Sequence, residues 1–201
     1  MAQNNGANDN AQAALIALMG ALEARDSFTK NHSVRVSQIA VRLGKIFKLD
    51  ESTLNQIANA SLLHDIGMVS VPDAILLKPA PFTELERKII RDAPNVAARI
   101  LEPIPSLKNE RLMVLHHGER WDGKGYPDGL KGEAIPLGAR LIAVAEAIDA
   151  MTQNRTYRRT RPLSYCLEQL ELHAGSQFDP KIAKIAIAAL CKGQFKSKAD
   201  T

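Results

Sequence analysis

Adjacent His64 and Asp65 close an otherwise apolar segment, LLHDIG. An imidazole and a carboxylate side by side can bind one divalent metal, and the carboxylate can bridge to a second. Taken alone, such a dipeptide reads more readily as a helix-capping pair. Its company changes that balance. His32 stands ahead of one apolar-periodic segment, His116 and His117 end another, and Glu146 and Asp149 lie three apart in a third that is otherwise largely apolar. Carboxylates on such a face are seldom buried unless paired or ligating. Four of the five histidines therefore fall at element ends beside other candidate ligands, and only His173 has no such neighbours. Imidazole and carboxylate donors suit zinc, iron, nickel or manganese, and spacing does not choose among them.

The stretch HHGERWDGKGYPDGLKGEAIP is the most distinctive in the chain. It holds the only tryptophan, Trp121, and also Tyr126, among glycines that let backbone approach a ligand closely. The plainer reading is an ordered loop pinned by its aromatic anchors. Arg155, Arg158, Arg159 and Arg161 follow the segment carrying Glu146. Guanidiniums can fork onto phosphate oxygens, although a bare cluster of this kind is more often a solvated surface.

The elements that must position these groups are helical. Val36, Ile39, Ala40, Leu43, Ile46 and Phe47 follow the i, i+3, i+4, i+7 rule. Asp50 is a candidate N-cap for a helix through Leu54, Ile57, Ala58 and Leu62 that runs into His64-Asp65 and stops at Gly67. Thr83 and Glu86 form a capping-box pattern that starts another helix. Further helices are expected over 94–102, 107–117, 137–151, 163–174 and 180–191, the last opened by Asp179-Pro180. Between 118 and 138 the chain is glycine-rich and broken by Pro127 and Pro136, too long to be a mere connector. No strand alternation or repeat stands out.

The chain's 201 residues correspond to one domain. Its two cysteines exclude a disulfide scaffold and fit a reducing compartment. A formal charge of +4 suits a phosphorylated ligand and does not argue for a nucleic acid polymer. The longest apolar stretch, Ala13 to Leu22, is shorter than the ~20 residues a bilayer crossing needs. The preceding MAQNNGANDN carries no positive charge, unlike a signal peptide. The expectation is a cytoplasmic protein that does not engage membranes, with polar tails over 1–10 and 193–201 and a folded domain over 11–192.

The ordered blocks His32-Ser33, LLHDIG, VPDAILLKP, ERWDGKGYPDGLKGEAIPLGARL, NRTYR and GSQFDP resemble the HD-GYP family over about 12–190. The resemblance implies an all-α, single HD-type helical domain with a long glycine-rich GYP loop. It implies hydrolysis of cyclic dinucleotides, chiefly cyclic di-GMP, to pGpG or GMP, with two or three metals activating a water. His32, His64 and Asp65 match family metal ligands, Asp65 being the bridging, catalytic carboxylate. His117 matches the first of a paired-histidine motif. Gly125, Tyr126 and Pro127 match the signature loop, and Arg155 and Arg158 match basic residues near the ligand phosphates.

Four positions depart from the family pattern. Met68 stands where a phosphate-contacting lysine is usual, Ala93 where a ligand histidine precedes proline, and Gly118 at the second of the paired histidines. Matching His116 with His117 instead would require an inserted residue, which rotates the pair by ~100°. Glu146 replaces an aspartate ligand by a carboxylate one methylene longer. The resemblance thus implies a first metal site of His32, His64, Asp65 and Glu146. A depleted second site would keep Asp65 and His117, with His116 if the helix end rearranges. One iron, manganese, nickel or zinc ion is expected rather than two. The domain is expected to bind a cyclic dinucleotide or a signalling partner, with phosphodiesterase activity weak or lost. The alternatives are an active cyclic di-GMP phosphodiesterase and a one-metal nucleotide phosphohydrolase.

Overall fold

Residues 13–20 form a first helix, α1, which buries Leu15 and Met19 one turn apart. The structure is a computed structural model that describes residues 13–20, 27–153 and 161–195. Helix α2, Ser27–Ile46, turns Val36, Ala40 and Leu43 into the core. His32 lies inside α2, in its second turn, and not ahead of it as the periodicity implies. The inward positions of that turn are His32 and Ser33, both buried but polar, so the apolar stripe becomes visible only at Val36.

Helix α3, Glu51–Leu63, begins at Asp50 as expected. The Asp50 carboxylate accepts from the Thr53 backbone N–H at 2.9 Å and the Thr53 hydroxyl at 2.7 Å. His64 caps the other end of α3, and the chain then tightens into a 3-10 turn, Ile66–Ser70, and the short helix α4, Asp73–Leu76. The His64-Asp65 pair therefore sits where a buried helix gives out.

Thr83 and Glu86 form the expected capping box and start α5, Glu84–Leu101. Sequence reading separates a helix starting at Thr83 from one over 94–102, whereas α5 runs through Pro94 without a break. A proline there removes one backbone hydrogen bond and crowds the preceding turn. Packing offsets that cost: Ala93, Pro94, Ala97 and Leu101 are all buried. At Gly67 the 3-10 turn lies so close to α5 that any Cβ would drive into the Ala93 carbonyl oxygen. Gly67→Ala is accordingly expected to destabilise the domain by ~1–3 kcal/mol, read as a lowered urea midpoint; an unchanged midpoint would show that α5 gives way easily.

Helices α6, Lys108–His116, and α7, Leu137–Thr152, flank the glycine-rich loop. Helices α8, Leu163–Leu172, and α9, Pro180–Cys191, complete the order, with Asp179 accepting from the Lys181 and Ile182 N–H groups at the start of α9. Helix α7 is central. Its Leu141, Ile142, Val144, Ala145 and Ile148 are buried, and it packs on α2, α3, α6, α8 and α9. Polar groups on α7 therefore reach α2 and the end of α3. A small separate core of Val71, Ile75 and Ala93 lies beneath α4 and α5.

The architecture is all-α, as expected; among the described residues the only bridge of strand type is the isolated pair Ala174 and Phe178. No described helix is long and apolar enough to cross a membrane. The tail expected over 1–10 lies outside the described residues, as do Arg155, Arg158 and Arg159. Phe195, within the segment expected as a C-terminal tail, packs against the main core.

Candidate metal centre and its cleft

Three side chains from two helix segments meet at one point. His32 of α2, His64 and Asp65 each offer a donor atom, and these atoms lie within 4.8 Å of one another. Asp65 Oδ2 is 3.3 Å from His64 Nε2 and 3.9 Å from His32 Nε2. Two donors ~2.1 Å from a shared ion stand ~3.0–3.4 Å apart at right or tetrahedral angles. The Asp65–His64 spacing already fits a shared ion, and His32 would have to move closer to complete the set.

The hydrogen bonds behind the rings select the ligating nitrogens. His32 Nδ1 is 2.7 Å from Asp149 Oδ2, His64 Nδ1 is 2.7 Å from the Ser61 carbonyl, and His117 Nδ1 is 2.7 Å from the Val114 carbonyl. Each acceptor is a carbonyl or carboxylate oxygen, so Nδ1 donates and Nε2 is left as the ligating atom in all three rings. His64 Nε2 is fully buried and lacks an aligned hydrogen-bond partner. A metal would satisfy that orphaned nitrogen, and the donor set fits a divalent ion. His64 packs edge-on to both neighbours, 5.4 Å from the His32 ring and 5.3 Å from the His117 ring. Asp149, itself buried, also receives Arg35 through Nε at 2.5 Å and Nη2 at 3.0 Å. It holds His32 in place and is not a donor of the cluster.

Charge is tightly coupled across the site. Burial disfavours the His64 imidazolium, but the Asp65 carboxylate beside it, helped by Glu146, outweighs this and pushes the ring up to about 9. Burial also opposes the Asp65 charge, yet His64, His32 and His117 hold that carboxyl well below the usual range. Burial, with the neighbouring His64 charge, keeps His117 below an ordinary histidine. At neutral pH the metal-free cluster thus carries a proton on His64, and a metal must displace it.

His116 turns away from this cluster. Its Nδ1 is 2.9 Å from the Leu112 carbonyl and its Nε2 is 2.9 Å from Asp128 Oδ2, so both nitrogens are committed to anchoring the loop. Buried Glu119 holds the same loop, accepting from the Asp128 and Gly129 N–H groups at 2.8 and 2.9 Å. The Tyr126–Pro127 peptide is cis, and the Tyr126 N–H donates to the Gly118 carbonyl at 3.2 Å. The GSQFDP segment braces the other side: the Trp121 and Asp122 N–H groups donate to the Gln177 and Ser176 carbonyls at 3.1 and 2.8 Å. Arg140 links this brace to α7, pairing with Asp179 at 2.6 Å and lying 5.7 Å from the Trp121 ring.

Beside the cluster lies a cleft of about 270 Å³, walled by His117, Gly125, Tyr126, Glu146 and Arg91. Glu146 stands in this wall and outside the close His32, His64 and Asp65 group, acting on His64 and His117 through its charge. Burial and the Glu146 and Asp65 charges push the Tyr126 phenol up, against the opposing Arg91, so the ring enters the cleft as a neutral donor. Arg91, 5.8 Å from the Tyr126 ring, is a site residue that sequence reading passes over. On α5 it is one of several charged residues, with Arg87 and Lys88, and only the packing of α5 against the turn after Asp65 singles it out. Met68 packs with the small α4–α5 core.

Comparison with known proteins gives the family. The HD domain family matches residues 17–182. The chain is 35% identical over 96% of its length to the cyclic di-GMP phosphodiesterase response regulator RpfG of Xanthomonas campestris pv. campestris, covering 51% of that protein. It is 35% identical over 85% of its length to the 3'3'-cGAMP-specific phosphodiesterase 2 of Vibrio cholerae, covering 33% of it. The chain thus spans about half or less of these curated relatives. Among solved structures, the cyclic GMP-AMP specific phosphodiesterase V-cGAP3 of V. cholerae superposes with a TM-score of 0.65 at 19% identity, over 84% of this chain and 46% of that one, which shows a shared fold. Running from α1 through His32, the HD pair and α7 into α9, the match places this chain in the HD-domain family, with HD-GYP cyclic-dinucleotide phosphodiesterases among its relatives.

Proposed function

We propose that this domain is an HD-GYP-type cyclic-dinucleotide signalling module, holding one divalent metal and hydrolysing its ligand weakly or not at all. The observation that carries this reading is the imbalance between neighbouring sites. The His32, His64 and Asp65 donors lie together, whereas beyond His64 only His117 and Glu146 stand beside the cleft. Positions 93 and 118 contribute no imidazole, and His116 is spent on the loop.

A bound divalent ion supplies Lewis-acid polarisation and charge neutralisation at a phosphate. Asp65 faces both His32 and His64 and is the shared, catalytic carboxylate in this reading. The loop of Gly125, Tyr126 and Pro127 forms the nucleotide wall, with the Tyr126 phenol donating to a phosphate or base. Arg91 takes the phosphate role vacated at Met68, and Arg155 and Arg158 remain phosphate-contact candidates on the family resemblance alone. The relatives' names give cyclic di-GMP and 3'3'-cGAMP as the ligands to try.

The deciding experiment is metal analysis of the purified protein, joined to binding and hydrolysis assays with both cyclic dinucleotides. One metal per chain, measurable binding and little product support the proposal. Two metals with rapid turnover would favour an active phosphodiesterase, a reading to which Glu146 and His117 in the cleft wall lend support. Arg91→Ala is expected to weaken cyclic dinucleotide binding about tenfold, the loss of one charge-assisted contact; unchanged affinity by calorimetry would return Arg91 to the helix surface.

A further inference from the structure

Asp149 joins the metal centre to a second cavity. This cavity, about 350 Å³, shares no wall residue with the GYP cleft. Three guanidiniums line it, Arg35 and Arg42 from α2 and Arg161 ahead of α8, against the single carboxylate of Asp149. Arg35 is spent on Asp149. Arg42 lies 6.0 Å from the Phe195 ring and Arg161 4.8 Å from the Tyr165 ring. Among the described residues neither Arg42 nor Arg161 has a carboxylate partner. The rest of the wall is largely apolar, with Ile39, Leu163, Leu190 and Phe195. Mostly apolar walls, a few convergent charges and this volume are the attributes of a small-molecule site.

We infer that this cavity binds a small organic anion, whose carboxylate or phosphate sits on Arg42 and Arg161 and whose apolar body lies against Ile39, Leu163 and Leu190. Such an anion also competes with Asp149 for Arg35. Asp149 then accepts more fully from His32 Nδ1, which makes His32 Nε2 a better metal donor. Occupancy of the cavity and metal binding are therefore coupled, and the coupling is reciprocal. The inference needs only the metal-holding capacity of the His32, His64 and Asp65 cluster. It stands or falls separately from cyclic dinucleotide hydrolysis.

The test uses the full chain and anilinonaphthalene sulfonate, a soluble aromatic anion whose fluorescence reports burial. One saturable site per chain is expected, weakened at least tenfold in Arg42→Gln/Arg161→Gln while the urea midpoint holds. Saturating cyclic di-GMP should leave the probe bound, and saturating probe should tighten manganese binding severalfold. Undiminished affinity in the double variant overturns the proposal, as does displacement by cyclic di-GMP, which would put the probe in the GYP cleft. A manganese affinity indifferent to the probe also overturns it. So does binding that appears only after deletion of residues 196–201, because the chain's own tail would then be the occupant.

Discussion

Asp65→Ala is expected to weaken metal binding by on the order of a hundredfold or more. Loss of a mere supporting partner of a metal ligand already costs ~10–100-fold, and Asp65 offers a candidate donor atom that faces two imidazoles at once. Asp149→Asn tests the supporting layer: it weakens the acceptor of His32 Nδ1–H and should cost ~10–100-fold without removing a donor. Titration with manganese or zinc, alongside circular dichroism to show that the helices persist, checks both. Full affinity in Asp65→Ala would put the metal elsewhere in the molecule.

The same cluster sets a pH dependence with a definite sign. His64 rises to about 9 in the metal-free protein, so one proton must leave for each metal that binds. Apparent metal affinity should climb about tenfold per pH unit from 7 towards 9 and flatten above it. For stability of the metal-free fold, a raised histidine contributes fully below its unfolded value of ~6.5, and this is lost as pH rises through about 9. Asp149 behaves oppositely. Burial works against its charge, but His32 and Arg35 depress the carboxyl, so its contribution is present above ~pH 4 and lost as pH falls below. An affinity flat from pH 7 to 9 would contradict the protonated cluster.

How legible the site was depended on what each residue faces. Asp50, the Thr83–Glu86 box and Asp179 announce their helices because capping is local chemistry between residues two or three apart. The start of α2 did not announce itself, since His32 and Ser33 occupy inward positions that an apolar pattern leaves blank. Nor did the unbroken course of α5, where burial of Pro94 overrides the usual meaning of proline. Residue types alone could nominate His116 and His117 equally. Their division, one to the Asp128 loop anchor and one to the edge of the cluster, follows from ~100° of helix rotation and from where the loop returns. Spacing leaves open whether Asp149 is paired or ligating; it faces α2, where Arg35 and His32 pair with it. Such placements depend on helix crossings between distant segments, which local spacing does not encode.

The proposed depletion of the second metal site yields the most demanding expectation. Helix α5 has not withdrawn: Ala93 is buried, and its carbonyl stands against Gly67, two residues after Asp65. What is missing there is a side chain, not an element. Ala93→His with Gly118→His is therefore expected to raise the metal content from one to two per chain, with neither single change sufficient, because each leaves the second ion short of an imidazole. Position 118 adds a complication. A Cβ there would lie 2.6 Å from Tyr126 Cε2 and 2.8 Å from Cζ, so the aromatic ring rests where the new side chain must begin. Gain of metal should thus come with displacement of Tyr126 and about tenfold weaker cyclic dinucleotide binding. In a Tyr126→Ala background, Gly118→His should cost no further binding, the non-additivity expected of two groups sharing one space. Metal analysis and calorimetry separate the two effects. A wild-type protein already holding two metals would show that His117, Glu146 and water suffice. A double variant still holding one would mean that position 93 faces the small Val71–Ile75 core and not the ion.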